Sequence, residues 1–236
     1  MSEPMRIQRA LARAGVLSRR KAEELVANGR VTVNGALAKI GQSVDPERDV
    51  IMVDGTRIQG PAPLEWYLLH KPAGVITSRG DPEGRRTVFD LAPRRPGLTY
   101  VGRLDYLTEG ALLLTTDGAA AHRLTHPSRK VERTYVASVL GDGEAAIEQA
   151  RYGVELEDGV VKPKRMRGEK IGRGRWELTI TIAEGKNREI RRLCEALGLQ
   201  VDRLVRVKFG PVELGDLPVG KVRSLTRAEV KALEKI

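Results

Sequence analysis

The sequence predicts an α+β protein in two parts: a small unit of two short helices with paired strands, then a larger unit built on a mixed, mostly antiparallel sheet with flanking helices. Three observations lead there. Apolar residues recur at helical spacing over the first thirty residues and then give way to strand-like runs. Gly60-Pro61-Ala62-Pro63 is a stiff break, because prolines fix φ and bias their predecessors to extended forms. Beyond it, short strands and short helices alternate to the C-terminus. The expected organisation is a first domain over 1–59, a linker over 60–64 and a second domain over 65–236. A chain of 236 residues with 41% hydrophobic content is neither a disordered polyelectrolyte nor in need of staples, since this size buries roughly 70% of the unfolded surface. No apolar run approaches the ~20 residues needed to span a bilayer.

Each element follows from local signals. Ile7, Ala10, Leu11 and Ala14 mark a first helix that stops at Gly15. Ser18 caps a second, with Ala22, Leu25 and Val26 inward and Asn28-Gly29 at its end. Val31-Thr32-Val33 with Asn34-Gly35, and Val50 to Val53 with Asp54-Gly55, read as strands ending in tight turns. Arg175 to Ala183 is the clearest strand, with Trp176, Leu178, Ile180 and Ile182 facing one way. Asn187 is placed to cap a helix carrying Ile190, Leu193, Cys194 and Leu197 inward and closing at Gly198. Arg206 to Phe209 alternates again, and Thr226 with Glu229 forms a capping box for a terminal helix.

The formal charge is +10, from 41 basic and 31 acidic residues. A pI near 9.9 favours a polyanionic partner over an acidic protein surface. Aromatic residues are only 4%, too few for a stacking platform that grips single strands. One cysteine forms no internal bridge; with no cationic-then-apolar leader at Met1, a reducing cytoplasm is the expected compartment. His70, His122 and His126 lack metal spacing, so no metal is expected.

Between residues 1 and 30, seven basic residues (Arg6, Arg9, Arg13, Arg19, Arg20, Lys21 and Arg30) face three acids and fall mainly off the apolar stripes. The stretch from about Met5 to Ile58, with its SRRKAEELVANGRVTVNG core, resembles the RNA-binding domain named after ribosomal small-subunit protein four. The resemblance implies a grip on folded RNA through phosphates and shape, since surface Arg and Lys supply charge without reading bases. An ordinary basic helical hairpin is the alternative.

The densest stretch of candidate chemistry is TYVGRLDYLTEGALLLTTDG, residues 99–118. Strand-like Thr99 to Val101 turns at Gly102, and Ala111 to Thr115 is a short buried-strand run. Between them lie Arg103, Asp105, Thr108 and Glu109, in a loop pinned on both sides. A carboxylate held this way meets a substrate with little reorganisation, although an aspartate here also suits a turn-former bonded to its own backbone.

Gly102-Arg103-Leu104-Asp105, Thr108-x-Gly110 and Leu112-Leu113-Leu114-Thr115-x-Asp117-Gly118 resemble the catalytic signature of pseudouridine synthases of the RsuA type. Further matches occur at Lys71-Pro72-Ala73-Gly74, Arg133-Thr134-Tyr135, Glu184 through Leu193, and Gly210-Pro211 with Leu214-Gly215-x-Leu217. Leu107 and Glu109 depart from the commonest family wording. The resemblance implies that Asp105 initiates breakage of the bond between uracil N1 and ribose, after which the base rotates and rejoins through C5, an isomerisation for which no cofactor is expected. Either direct attack or proton removal requires that carboxylate ionised, and Arg191 fits the place of the cation that holds it so, with fork geometry suited to two hydrogen bonds. Tyr135 matches the ring that packs on the extruded base, and stacking worth ~1–3 kcal/mol suits the cost of flipping one nucleotide. The resemblance makes Leu193 the apolar contact beneath the base, Thr108 part of the substrate surround, and Lys71 a support of the cleft; Arg103 fills the gap left in the RNA stack.

Phosphate contacts are expected from the first-domain cations, from Arg188 and Arg192, and from the basic run that includes Lys164 and Arg165. The expected function is conversion of one uridine in ribosomal RNA to pseudouridine, in the large subunit (23S), with a 16S target as the nearest alternative. A non-catalytic RNA-binding assembly factor is the reading from a second class. The expected partner is ribosomal RNA or a ribosome-assembly intermediate, not a membrane, and nothing demands more than a monomer.

Overall fold

The computed structural model describes residues 4–14, 19–58 and 64–236. Gly15, Ser18 and the Gly60–Pro63 break lie outside the described residues. The chain forms two compact units, one of 1–65 with 94–99 and 115–119, the other of 66–93, 100–114 and 120–236.

In the first unit, β1 (Met5–Arg6) leads into α1 (Ile7–Arg13), and α2 (Arg19–Ala27) follows. Ile7, Ala10, Leu11, Ala22, Leu25 and Val26 close on the strand residues Val31, Val33, Val44 and Ile51, so the predicted apolar faces are the core. The strands are β2 (Val31–Val33), β3 (Ala36–Leu37), β4 (Ser43–Val44), β5 (Ile51–Val53) and β6 (Thr56–Arg57). They make an antiparallel sheet in the order β3-β2-β5-β6, with β4 paired to β1. Asn34 (φ 51°) and Gly35 (φ 84°), like Asp54 (φ 48°) and Gly55 (φ 75°), take the left-handed pairs that a two-residue hairpin requires.

Beyond Glu65 the chain carries β7 (Trp66–Lys71), β8 (Thr99–Tyr100), β9 (Thr108–Thr115), α3 (Gly118–Thr125), β10 (Arg133–Leu140), α4 (Gly143–Ala150), β11 (Val154–Leu156) and β12 (Gly159–Val161). It continues with β13 (Arg165–Gly172), β14 (Arg175–Ile182), α5 (Glu189–Ala196), β15 (Gln200–Phe209), β16 (Val212–Glu213), β17 (Val222–Ser224) and α6 (Arg227–Glu234). The main sheet runs β13-β14-β10-β15-β9-β7-β17, with β16 on β15 and β8 on β9. β10 pairs antiparallel with both β14 and β15, whereas β15 meets β9 in parallel. One side of this sheet buries Trp66, Leu68, Val101, Leu113, Leu124, Phe209 and Leu233 in a single cluster.

Three expectations need adjustment. β9 begins at Thr108, so Thr108 and Glu109 are strand residues and the loop is shorter than predicted. Asn187 does not cap α5. Arg188 holds the N-cap position at φ 46°, and Glu189 Oε2 accepts from the Lys186 backbone N–H at 3.1 Å, so a carboxylate inside the helix closes the turn. Trp176 is only half-buried, and its ring lies against α4, where a Cβ at Gly143 would come within 2.4 Å of it. The Thr226–Glu229 capping box is present with both reciprocal bonds.

Candidate active site

The loop between β8 and β9 is held by its carbonyls. Thr77 Oγ1 donates to Leu104 O at 2.8 Å, Gly74 N–H donates to Tyr106 O at 2.9 Å, and Arg191 Nη2 donates to Leu107 O at 3.2 Å. Beneath it the Lys71 ammonium donates to Pro72 O at 2.9 Å, Tyr106 O at 3.3 Å and Thr108 O at 2.9 Å. Lys71 thus sits under the loop as a support of the cleft and does not line the pocket described below. It is fully buried and its three N–H donors are all committed to backbone carbonyls. Burial pushes its pKa down to about 8, while the charges of Asp105 and Glu109 act in the opposite direction.

Loop, sheet and helix enclose a pocket of about 260 Å³. Asp105, Thr108, Tyr135 and Arg191 all line it, from the loop, β9, β10 and α5. Asp105 is half-buried there rather than turned to bulk water. Arg191 is buried, yet the predicted fork on the carboxylate is not formed. Its Nη2 serves Leu107 O, its Nε has no partner, and it feels the Asp105 charge through space. Burial lowers the Arg191 pKa first, repulsion from Arg188 adds to this, and Asp105 opposes both.

Arg103 is exposed at the rim, as a residue that meets RNA must be, and Arg188 lines the same rim. Leu193 is corrected: it is fully buried in the core and the apolar walls are Ile182, Ile190 and Leu204. Sequence reasoning also missed Arg133, Glu189 and Arg206, all pocket-lining. Two were legible, because Arg133 stands two residues before Tyr135 and Arg206 two after Leu204, on the inward side of their strands. Burial lowers the Arg133 pKa and raises that of Glu189. Cys194 is no nucleophile, since burial pushes its thiol up to about 12.

The expected RNA cations divide. Arg9, Arg165 and Lys21 are exposed. Arg192 makes a two-bonded pair with Asp158 at 2.8 Å, and Arg30 is likewise engaged by Asp54, so each would exchange a surface carboxylate for a phosphate on binding RNA. Arg6 donates to Gly41 O, and Lys164 lies 3.9 Å from Glu132. Among the described residues no cluster of metal ligands occurs and no helix is long and apolar enough to cross a membrane.

Residues 65–196 match the RNA pseudouridylate synthase family, and residues 5–51 match the S4 domain. The chain belongs to the RNA pseudouridylate synthase family. It is 41% identical to ribosomal large subunit pseudouridine synthase B of Haemophilus influenzae over 100% of its own length and 68% of that protein. It is 45% identical to the protein of the same name from Pseudomonas aeruginosa, over 98% of this chain and 62% of that one. The chain thus spans about two thirds of the length of these curated relatives. An uncharacterized RNA pseudouridine synthase of Aquifex aeolicus is 40% identical, with 98% and 94% of the two chains covered. A crystal structure of a pseudouridylate synthase superposes with a TM-score of 0.65 at 27% identity, covering 97% of this chain and 99% of that one.

Proposed function

We propose that this synthase isomerises one uridine of large-subunit (23S) ribosomal RNA to pseudouridine, with Asp105 as the carboxylate that opens the N1–C1′ bond. The observation that carries the reading is the convergence of Asp105, Tyr135 and Arg191, from three separate segments, on one pocket. At about 260 Å³ it suits a single flipped nucleotide better than the ~300–1,000 Å³ of larger ligand sites. Tyr135 packs on the extruded base, Thr108, Ile182, Ile190 and Leu204 surround it, and Arg191 supplies positive charge opposite the acid. Lys71 fixes the loop from below. The large-subunit target rests on the names of the relatives. Residues 1–59 act as the RNA-gripping module, 60–64 as linker and 65–236 as the catalytic part. The enzyme works as a cytoplasmic monomer on ribosomal RNA, free or in an assembly intermediate.

Mapping pseudouridines in ribosomal RNA from a deletion strain tests this. One large-subunit site is expected to disappear and to return with the parent gene. An unchanged large-subunit profile overturns the assignment.

A further inference from the structure

Arg206 stands on β15 directly across from Tyr135 on β10, lines the pocket and is 2% exposed. Nε donates to Ala111 O at 2.7 Å, which holds the guanidinium in place. Nη2 is out of reach of solvent and has no acceptor. Among the described residues no carboxylate pairs with Arg206. Lys71 and Arg133, both cations, feel its charge. The Phe209 ring lies 5.3 Å below its guanidinium carbon and 5.4 Å from that of Arg133. A buried guanidinium with no carboxylate paired to it and two cations nearby is short of negative charge, and leaving it so is unfavourable. Tying β15 to β9 uses Nε alone and explains neither the charge nor the idle donor.

The isomerisation creates the missing anion. Attack of Asp105 on C1′ forms an O–C1′ bond as N1–C1′ breaks. Removal of the C2′ proton by Asp105 instead forms C1′=C2′ as the same bond breaks. In both, the electron pair leaves with the base, and the uracil anion carries it over N1, O2 and O4. The charge is discharged when C5 bonds to C1′: Asp105 is released or returns its proton to C2′, C5 loses a proton and N1 gains one. We propose that Arg206 is a catalytic residue that donates to a ring carbonyl oxygen of the departing uracil and stabilises its negative charge while Tyr135 packs on the ring. This rests on the synthase reading above. A preorganised donor placed where charge develops in the transition state is worth ~10²–10³ in rate.

The test compares the parent, Arg206→Gln and Arg206→Lys on RNA carrying uridine or 5-fluorouridine at the target position. Single-turnover loss of the target nucleoside, RNA affinity and thermal melting are read together. Arg206→Gln is expected to slow cleavage of uridine RNA by ~10²–10³ with affinity unchanged, and Arg206→Lys, which keeps the charge, to recover about tenfold or more. Fluorine makes the departing base less basic, so the Arg206→Gln deficit is expected to shrink by about tenfold on 5-fluorouridine RNA, a change that a merely structural role does not produce. An equal deficit on both RNAs, or a loss confined to affinity, overturns the proposal. Should Arg206→Gln fail to melt cooperatively, the same narrowing read in Arg206→Lys decides. A parent inactive on both RNAs refutes the synthase reading instead.

Discussion

Replacing Lys71 by methionine separates the support of the catalytic loop from contact with RNA. The Lys71 pKa falls from its ordinary 10.5 to about 8, and at ~1.4 kcal/mol per pH unit the buried charge opposes folding by about 3 kcal/mol at neutral pH. Methionine removes that penalty and strips three carbonyls of a charged donor, each loss costing about 1–3 kcal/mol. Tyr106 O keeps its bond from Gly74 N–H, so two carbonyls are orphaned at about 2 kcal/mol each, and against the ~3 kcal/mol relieved the balance is a net destabilisation of about 1 kcal/mol. The loop that presents Asp105 is freed, and a misplacement near 1 Å lowers turnover ~10²-fold. Urea melts, single-turnover tritium release from C5-labelled RNA and filter binding measure the three quantities separately. The expected pattern is a modest stability loss, a large rate loss and unchanged RNA affinity. pH supplies an independent check: between about 8 and 10.5 the unfolded chain holds the extra proton, so parental stability gains relative to Lys71→Met as pH rises through that window. Unchanged turnover, or an affinity loss that accounts for the rate loss, refutes the reasoning.

Two further outcomes follow from the packing. Glu229 is held at a pKa of about 2 by Arg223 and the Thr226 cap. Glu229→Gln keeps the cap but loses the ion pair, and because Arg223 is a third exposed the cost is discounted to ~1–2 kcal/mol at pH 7. Acid titration of urea midpoints is expected to show this difference present above pH 4.5 and vanishing as pH falls toward 2, whereas a pH-independent difference contradicts it. Gly110→Ala places a Cβ 2.2 Å from Arg206 O at a φ of +107°, so backbone must move and stability falls by ~3 kcal/mol or more in a thermal melt. A melt within ~0.5 kcal/mol of the parent shows that the β9–β15 approach is looser than described.

Local chemistry explains what the sequence made legible. Asn34-Gly35 and Asp54-Gly55 were readable because few residues tolerate left-handed backbone, and α1 and α2 because their apolar spacing matches one helical face. Arg191 was placed near Asp105 by the family resemblance, but its hydrogen-bond partner was not, since the Leu107 carbonyl reaches it only through tertiary folding. Leu193 and Leu204 are equally apolar; that Leu204 faces the pocket depends on the parallel β9–β15 pairing, which no local pattern encodes. The Arg192–Asp158 and Arg30–Asp54 pairs were hidden likewise, because charge counts reveal how many cations exist and not which are already matched.

The proposed chemistry starts at the Asp105 carboxylate. Tritium release from C5-labelled uridine RNA, measured side by side for the parent and Asp105→Asn, addresses it most directly. The parent is expected to release tritium, and Asp105→Asn to release none while binding the same RNA equally well. Continued release by Asp105→Asn contradicts the account.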